Sequence, residues 1–322
     1  MSNIVNWGVL GYARIARLSL MPAIARAPNA RLVAMATRDP AKAAECARDF
    51  QCERTYTRYE DLLADPQVQA VYIPLPNALH KEWAIRAMQA GKHVLCEKPI
   101  AMDAAEARDM AAVSRQTGKL LMEAFMYRYT DRSRRVREVI DSGVLGQIRH
   151  VNASFRFFLD RPDTIKVQPG LGGGALYDVG CYPVNFLSLV TGRKPVSCHV
   201  LAEYDQGVDV NLSAVMQYDD GLIANIHCGF NAYGKNFAEV IGTQGIMEVS
   251  DTFLDFRGGI QVFTKEGTRT LPVAESDRYR DEVQDFSAAI LEGRQPLLTL
   301  DETILNMEVL DMIRAQLNPP SI

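Results

Sequence analysis

The sequence predicts an α/β domain with a parallel sheet, followed by an α+β domain with a large, mostly antiparallel open sheet. Two observations carry this. Short apolar runs alternate with helical patterns over the first third of the chain, as in parallel strands joined by crossover helices. After about residue 124 the rhythm gives way to strand-like runs separated by Gly and Asp turns. The two patterns meet without a flexible linker, so two tightly packed domains are expected, residues 1–124 and 125–322.

In chain order, Ile4 to Leu10 reads as a strand and Ile15 to Ala27 as a helix, with Pro28 beyond its end. Leu32 to Ala36 is a second strand and Pro40 to Phe50 a second helix. A short helix over Tyr59 to Leu63 precedes the strand Ala70 to Ile73. Asn77 to Ala90 is a helix stopped by Gly91, and His93 to Leu95 the next strand. A helix from Asp103 to Thr117 stops at Gly118, before the strand Leu120 to Glu123. The second part opens with a helix, Asp131 to Ser142, and a strand, Ile148 to Phe158. The Gly-rich stretch PGLGGGALYD leads into a helix ending at Val190. Five or more strand-like runs follow, named as VSCHVLAEY, VNLSAVMQY, LIANIHCGF, FAEVIG and IMEVS, with DDG at Asp219 to Gly221 marking a hairpin. Two helices close the chain, Arg280 to Leu291 and Leu300 to Leu317.

Bulk composition narrows function by exclusion. A net charge of −4 gives no basic footprint for nucleic acid and no polybasic membrane patch. No apolar run approaches a membrane span, and MSNIVNWGVLG has neither a basic n-region nor a long apolar h-region, so a cytoplasmic protein is expected. The six cysteines form no C-x-x-C pair and read as unpaired buried thiols in a reducing compartment. The five histidines lack ligand spacing, so no metal is expected.

The turn VLGYARIA aligns with G-x-G-x-x-G/A as Gly11, Ala13 and Ala16. Gly11 permits a tight turn, and the helix N-terminus, with Arg14 and Ile15, would direct free N–H groups at a pyrophosphate. The methyl group of Ala13 crowds the phosphate but leaves the donors in place. A degenerate fingerprint is weak alone. Its place after the first strand of an alternating chain makes this a dinucleotide-binding Rossmann domain. The second strand ends in Thr37 and Arg38, a hydroxyl and a guanidinium suited to a 2′-phosphate. NADP(H) is therefore favoured over NAD(H). Asp39, one place further on, is the competing ribose ligand. The third strand ends in YIPLPNALH, where Pro74 and Pro76 force an extended loop and Asn77 offers a helix cap. This loop, His80 included, is expected to line the cofactor.

Two groups suggest chemistry. Lys98 stands at the carboxyl end of the strand in HVLCEKP, on the sheet edge that also carries Gly11, Thr37 and Pro74. Its charge can orient a hydroxyl or lower a neighbour's pKa, and the bond to Pro99 is a candidate cis peptide. In GGGALYDVGCYPVN the glycines allow close approach of a ligand, and Asp178 and Tyr182 lie four apart on one helix face. A carboxylate and a phenol so placed make a proton-transfer pair if a nearby ammonium helps the phenol to titrate.

Taken together, GVLGYARIA, IPLPNALH, AGKHVLCEKPIAM, EAFMYRY from Glu123 and GGGALYDVGCYPVN resemble the glucose-fructose oxidoreductase / inositol dehydrogenase / rhizopine-catabolism family over the whole chain. The resemblance implies a Rossmann domain, then an open-sheet domain whose outer face makes dimer or tetramer contacts. It implies NAD(P)-dependent dehydrogenases or reductases of sugars and cyclic polyols. By position, Lys98 matches the lysine that contacts substrate and nicotinamide, with Glu97 beside the nicotinamide ribose, and Asp178 matches the aspartate of G-G-x-L-x-D-x-G. Tyr182 stands where many inositol dehydrogenases have histidine, which is similar to the xylose dehydrogenase and dimeric dihydrodiol dehydrogenase branch. Without the export signal of secreted glucose-fructose oxidoreductase, an exchangeable cofactor is expected.

The expected reaction is hydride transfer between nicotinamide and a carbinol or carbonyl carbon. Tyr182 would handle the proton, Lys98 would stabilise the oxyanion, and Asp178 would bind substrate or fix Lys98. Arg128 is expected at the cofactor, and Tyr279 with it along the pocket. The alternatives are a dihydrodiol or dicarbonyl reductase with the same site, and a non-catalytic dinucleotide-sensing regulator.

Overall fold

The computed structural model describes residues 3–161, 164–254 and 258–317, and the chain divides into two compact units. The first comprises residues 1–126 and 277–303, the second residues 127–276 and 304–322.

The first unit is a six-stranded parallel sheet among the described residues, in the order β3-β2-β1-β4-β5-β6. Its strands are β1 (Val5–Leu10), β2 (Ala30–Ala36), β3 (Arg54–Tyr56), β4 (Ala70–Ile73), β5 (His93–Glu97) and β6 (Leu121–Ala124). Both faces are covered, so β4 is buried throughout and β1 nearly so. Strand order reverses between β1 and β4, which makes their carboxyl ends the topological switch point where such sheets bind ligands. The connecting helices are α1 (Met21–Arg26), α2 (Pro40–Phe50), α3 (Tyr59–Ala64), α4 (His80–Gln89) and α5 (Ala104–Thr117). β3 escaped sequence reading because Arg-Thr-Tyr is short and polar, an edge strand paired only with β2.

The division expected at residue 124 differs from these units in one respect. The helix at Arg278–Glu292 belongs to the first unit, where it packs on α1, β1 and β2. The Trp7 indole donates to Ser287 Oγ at 3.0 Å, and its ring lies 5.7 Å from that of Phe286. Arg26 clamps Asp277 with two hydrogen bonds of 2.7 and 3.0 Å. Sequence distance hid this return of the chain; the buried faces of Trp7 and Phe286 require it.

The second unit holds α6 (Asp131–Asp141), β7 (Ile148–Phe158), α7 (Cys181–Thr191) and β8 (Ser197–Asp205). β9 (Val208–Gln217), β10 (Ile223–Gly229), β11 (Asn231–Gly242), β12 (Gly245–Ser250), β13 (Ile260–Thr264) and β14 (Gly267–Leu271) follow. The last two strands were not named from sequence, which left room for more than five. Among the described residues the eight-stranded sheet runs β14-β13-β12-β11-β7-β10-β9-β8, antiparallel except at the β7–β10 pair. The DDG hairpin joins β9 to β10, with Gly221 at φ +83°. Cys181 to Leu189 of α7 are all buried, and α7 packs on β7 and β10. With the Arg278–Glu292 helix as α8, α9 (Leu300–Arg314) closes the chain.

Both glycine-led helix starts depart from α geometry. Ala16–Leu20 and Leu176–Gly180 are π-helical turns leading into α1 and α7. In the first, the Met21 N–H bonds Ala16 O, five residues back. Each turn precedes a proline, Pro22 or Pro183, which has no N–H for the i−4 carbonyl and crowds it; a wider turn relieves both problems.

Candidate active site

The carboxyl ends of the parallel strands gather the first group of residues. Gly11, after β1, has φ +107°, and a Cβ there would stand 2.9 Å from Leu75 Cδ2. Glycine is therefore required by both backbone and space. Its N–H donates to Ala36 O at 2.8 Å, which fixes the turn against β2. Ala13 and Ile15 are half-buried and Arg14 is exposed. Thr37 is buried and Arg38 exposed at the end of β2, where the Arg38 charge acts on the Tyr59 phenol. Asp39 is turned away from ligand duty. Its side chain accepts from the backbone N–H groups of Ala41 and Lys42, capping α2. The strand end is left with a hydroxyl and a cation, and Asp39 is occupied.

Pro74 is buried, and Asn77 is half-buried at the start of a 3-10 turn, Asn77–Leu79. Asn77 was expected to cap the helix; the N-cap of α4 is instead Leu79. His80 also departs from expectation. Fully buried, its ring places Nδ1 2.9 Å from Pro99 O and Nε2 2.8 Å from Leu75 O. It braces two loops from beneath and has no surface to offer a cofactor. Burial holds its pKa down to about 4.

The stretch Glu97-Lys98-Pro99-Ile100 is gripped by buried side chains from neighbouring elements. Tyr72 of β4 donates its phenol proton to Glu97. His80 of α4 meets Pro99 O. Glu123 of β6 accepts the Ile100 N–H at 3.0 Å. The Lys98–Pro99 peptide is cis, as the sequence suggested. Lys98 is half-buried at the end of this clamp, and its charge acts on Glu123. Glu123 is fully buried, and desolvation raises its pKa to about 8 against the pull of the Ile100 N–H and Lys98. Glu282 of α8 is also buried, and desolvation followed by the charge of Glu97 raises it well above the usual carboxylate range. Tyr279 lies in this unit too, raised by burial and by Glu97. Tyr72, Glu123 and Glu282 were not singled out from sequence. Apolar residues surround Tyr72 and Glu123 there, and Glu282 lies among the ordinary charges of a helix, RDEVQD; only the fold shows that they converge on one turn.

The second group belongs to the second unit. Asp178 is ion-paired with Lys166, whose ammonium also lies over the Phe157 and Phe230 rings at 5.2 and 6.0 Å. Lys166 was missed because nothing in its local sequence marks it. Tyr182 is buried among Tyr127, Phe155 and Phe253, with ring centroids 5.9, 5.2 and 5.7 Å away. The four-residue spacing of Asp178 and Tyr182 spans the π turn, so it falls short of a full turn. Arg128 sits in the second unit and donates to Asn185 Oδ1 at 3.4 Å; Tyr127 donates to the same oxygen at 2.5 Å.

Two of the glycines before Asp178 are required by the loop itself. A Cβ on Gly173 would stand 2.6 Å from Lys166 O. Gly174, at φ +114°, would place one 2.2 Å from Asp209 Oδ1. Asp209, buried on β9, accepts the Leu176 N–H at 2.7 Å and so caps the turn carrying Asp178. Burial lifts its pKa to about 6 against the pull of the Leu176 and Ala175 N–H groups.

With this geometry in hand, comparison with known proteins is decisive. The profile of an oxidoreductase family with an NAD-binding Rossmann fold matches residues 5–125, and that of the GFO/IDH/MocA C-terminal domain matches residues 133–248. The chain belongs to the GFO/IDH/MocA oxidoreductase family. It is an enzyme of the dehydrogenase and reductase class. It is 35% identical to a D-xylose 1-dehydrogenase (NADP(+)) of Haloferax volcanii over 95% of both chains. It is 28% identical to a trans-1,2-dihydrobenzene-1,2-diol dehydrogenase of Xenopus tropicalis, over 97% of this chain and 98% of that one. A 3-ketoreductase from Actinomadura kijaniata, solved with NADP and TDP-benzene, superposes with a TM-score of 0.90 at 31% identity, covering 97% and 98% of the two chains. Among the described residues no helix is long and apolar enough to cross a membrane.

Proposed function

We propose that the protein is an NADP(H)-dependent oxidoreductase acting on a carbinol or carbonyl carbon of a sugar or cyclic polyol. One observation carries the cofactor assignment. At the end of β2, Thr37 and Arg38 stand where a 2′-phosphate would be received, while Asp39 is committed to capping α2. The neighbours named with NADP support the same choice. Gly11, Ala13, Arg14 and Ile15 would hold the pyrophosphate, Thr37 and Arg38 the 2′-phosphate, and Pro74, Asn77, Glu97 and Arg128 the remainder. When bound, the nicotinamide supplies or accepts the hydride.

The chain's own residues supply position, charge and a proton. Lys98 is the proposed cation for an oxyanion developing on substrate, held by the clamp of Tyr72, His80 and Glu123. Tyr182 is the proposed proton donor and acceptor for the substrate oxygen. Asp178, paired with Lys166, is the proposed hydrogen-bond partner of a substrate hydroxyl. In the oxidative direction Tyr182 takes the hydroxyl proton as Lys98 stabilises the alkoxide; reduction reverses the step.

The test is NADPH oxidation and NADP+ reduction against aldoses, inositols, keto-sugars and dihydrodiols, with Lys98→Ala and Tyr182→Phe alongside. Wild-type turnover on one class with both variants crippled is expected. Near wild-type turnover by both would remove them from the chemistry, and preference for the dihydrodiol would establish the alternative reductase.

The second unit's sheet is the proposed surface for a homodimer or homotetramer. It exposes Leu201, Val215 and Ile223 on neighbouring strands. Light scattering on Leu201→Arg should show a smaller particle than wild type; an unchanged mass rejects that surface. A cytoplasmic setting is proposed on the six free, buried thiols.

A further inference from the structure

The cation beside Asp178 is placed by backbone contacts. Lys166 lies in the first of two 3-10 turns, Ile165–Val167 and Pro169–Leu171. Its carbonyl accepts the Gly174 N–H at 2.8 Å, and the Gly174 carbonyl accepts the Asp178 N–H at 3.0 Å. One glycine therefore ties the two backbones together. A Cβ on Gly173 would strike the same Lys166 carbonyl, and one on Gly174 would strike Asp209. Asp209 in turn holds the Leu176 N–H at 2.7 Å, two residues before Asp178.

Stability is a poor reason for such a construction. The paired side chains of Lys166 and Asp178 keep 27% and 19% of their surface exposed. An ion pair open to water to this degree contributes little to folding. The same exposure leaves both groups within reach of a ligand. The ammonium is held over the rings of Phe157 and Phe230, which lie 5.3 Å apart. Tyr182 follows Asp178 by four residues as the π turn passes into α7, so a ligand on the pair lies within a turn of the phenol.

The pair sets a donor beside an acceptor, with no net charge between them. An ammonium carries three N–H donors and a carboxylate about four lone-pair sites, so their mutual contact exhausts neither. Two hydroxyls on adjacent carbons present the complement. One oxygen accepts from the ammonium, and the other hydroxyl donates to the carboxylate. A phosphate or an amine would instead have to break the pair and leave one partner bare.

We propose that Lys166 is a substrate-binding residue which, with Asp178, reads two hydroxyls on adjacent carbons and so selects an uncharged vicinal diol over a dicarbonyl. The proposal rests on the sugar or polyol reading above and narrows it. Tyr182 is left to the reacting oxygen, and the pair grips the hydroxyls beside it. A dicarbonyl offers acceptors alone. It can take a proton from Lys166, but Asp178 then faces an oxygen lone pair in place of a donor.

The test measures oxidation of D-glucose and myo-inositol with NADP+, each beside its monodeoxy analogues, and reduction of erythrulose and butane-2,3-dione with NADPH. In the wild type, removing one hydroxyl of the recognised pair should raise KM about tenfold or more, and erythrulose, which keeps a diol beside its carbonyl, should outrun the dione. Lys166→Met keeps the carbonyl that ties the loop. It should lose about as much on the parent compound, chiefly in KM, and no longer distinguish the parent from that analogue. Lys166→Arg should recover part of the preference. Equal losses on parent and analogue in Lys166→Met would mark a structural role and overturn the proposal. A wild type indifferent to every deoxy position, or one that prefers the dione, would overturn it too. Absence of turnover on every probe would fail the underlying sugar or polyol reading, and the proposal with it.

Discussion

Replacing Gly174 by alanine tests the architecture of the turn that carries Asp178. The backbone at φ +114° is nearly closed to a side chain, which costs about 1–3 kcal/mol. The new methyl would stand 2.2 Å from Asp209 Oδ1, so the carboxylate must move. Its other oxygen accepts the Leu176 N–H, and loss of such a cap costs about 1 kcal/mol. The sum is about 3 kcal/mol. At ~2–4 °C per kcal/mol for a unit of this size, the melting transition should fall by about 6–12 °C. Circular dichroism melts of Gly174→Ala, Asp209→Ala and the double variant read it out. With Asp209 already truncated, the alanine should cost only its backbone share, so the double variant melts higher than the sum predicts. Additivity within about 0.5 kcal/mol, or a wild-type melt for Gly174→Ala, would refute the reasoning.

Arg38→Ala should raise the KM for NADPH by about tenfold or more, one charge-assisted contact to a phosphate, and leave NADH kinetics unchanged; equal loss with both would remove Arg38 from the 2′-phosphate. Glu123 is raised to about 8, so the folded chain keeps a proton that the unfolded chain releases near its ordinary value of 4.5. Its contribution to stability therefore falls as pH rises between those values and is level above them. Glu123→Gln keeps the acceptor for the Ile100 N–H, so its melting advantage over wild type should widen from pH 5 to pH 8; a constant difference would show that Glu123 is not held protonated. Phe286→Ala should cost about 3–5 kcal/mol and speed amide exchange in β1 and β2, far away in sequence; exchange confined to α8 would show that the helix is not integral to the first unit.

The alternation of strands and helices made the parallel sheet legible, because periodicity reports local burial directly. Lys98 was legible for a related reason: a charge at a strand's end, followed by proline, stands out against an apolar run. The clamp around it was not. Tyr72 and Glu123 look like strand residues, and only register shows that both reach the turn from β4 and β6. His80 was misjudged because a histidine near a ligand loop reads as a contact, whereas two carbonyls hold it in the interior. Asp178 was placed on its helix, yet the π turn and Lys166 depend on Pro183 and on a loop twelve residues earlier, which no pairwise spacing encodes. The allocation of α8 to the first unit likewise follows from a long-range contact with Trp7.

The most direct test of hydride transfer to a carbinol carbon follows the label. NADPH deuterated at the transferring C4 position is supplied with the carbonyl substrate that the turnover panel identifies. The account predicts deuterium on the new carbinol carbon of the product, seen by NMR, and none there when unlabelled NADPH is used in deuterated water. Deuterium arriving from solvent, or an unlabelled carbinol from labelled NADPH, would contradict it.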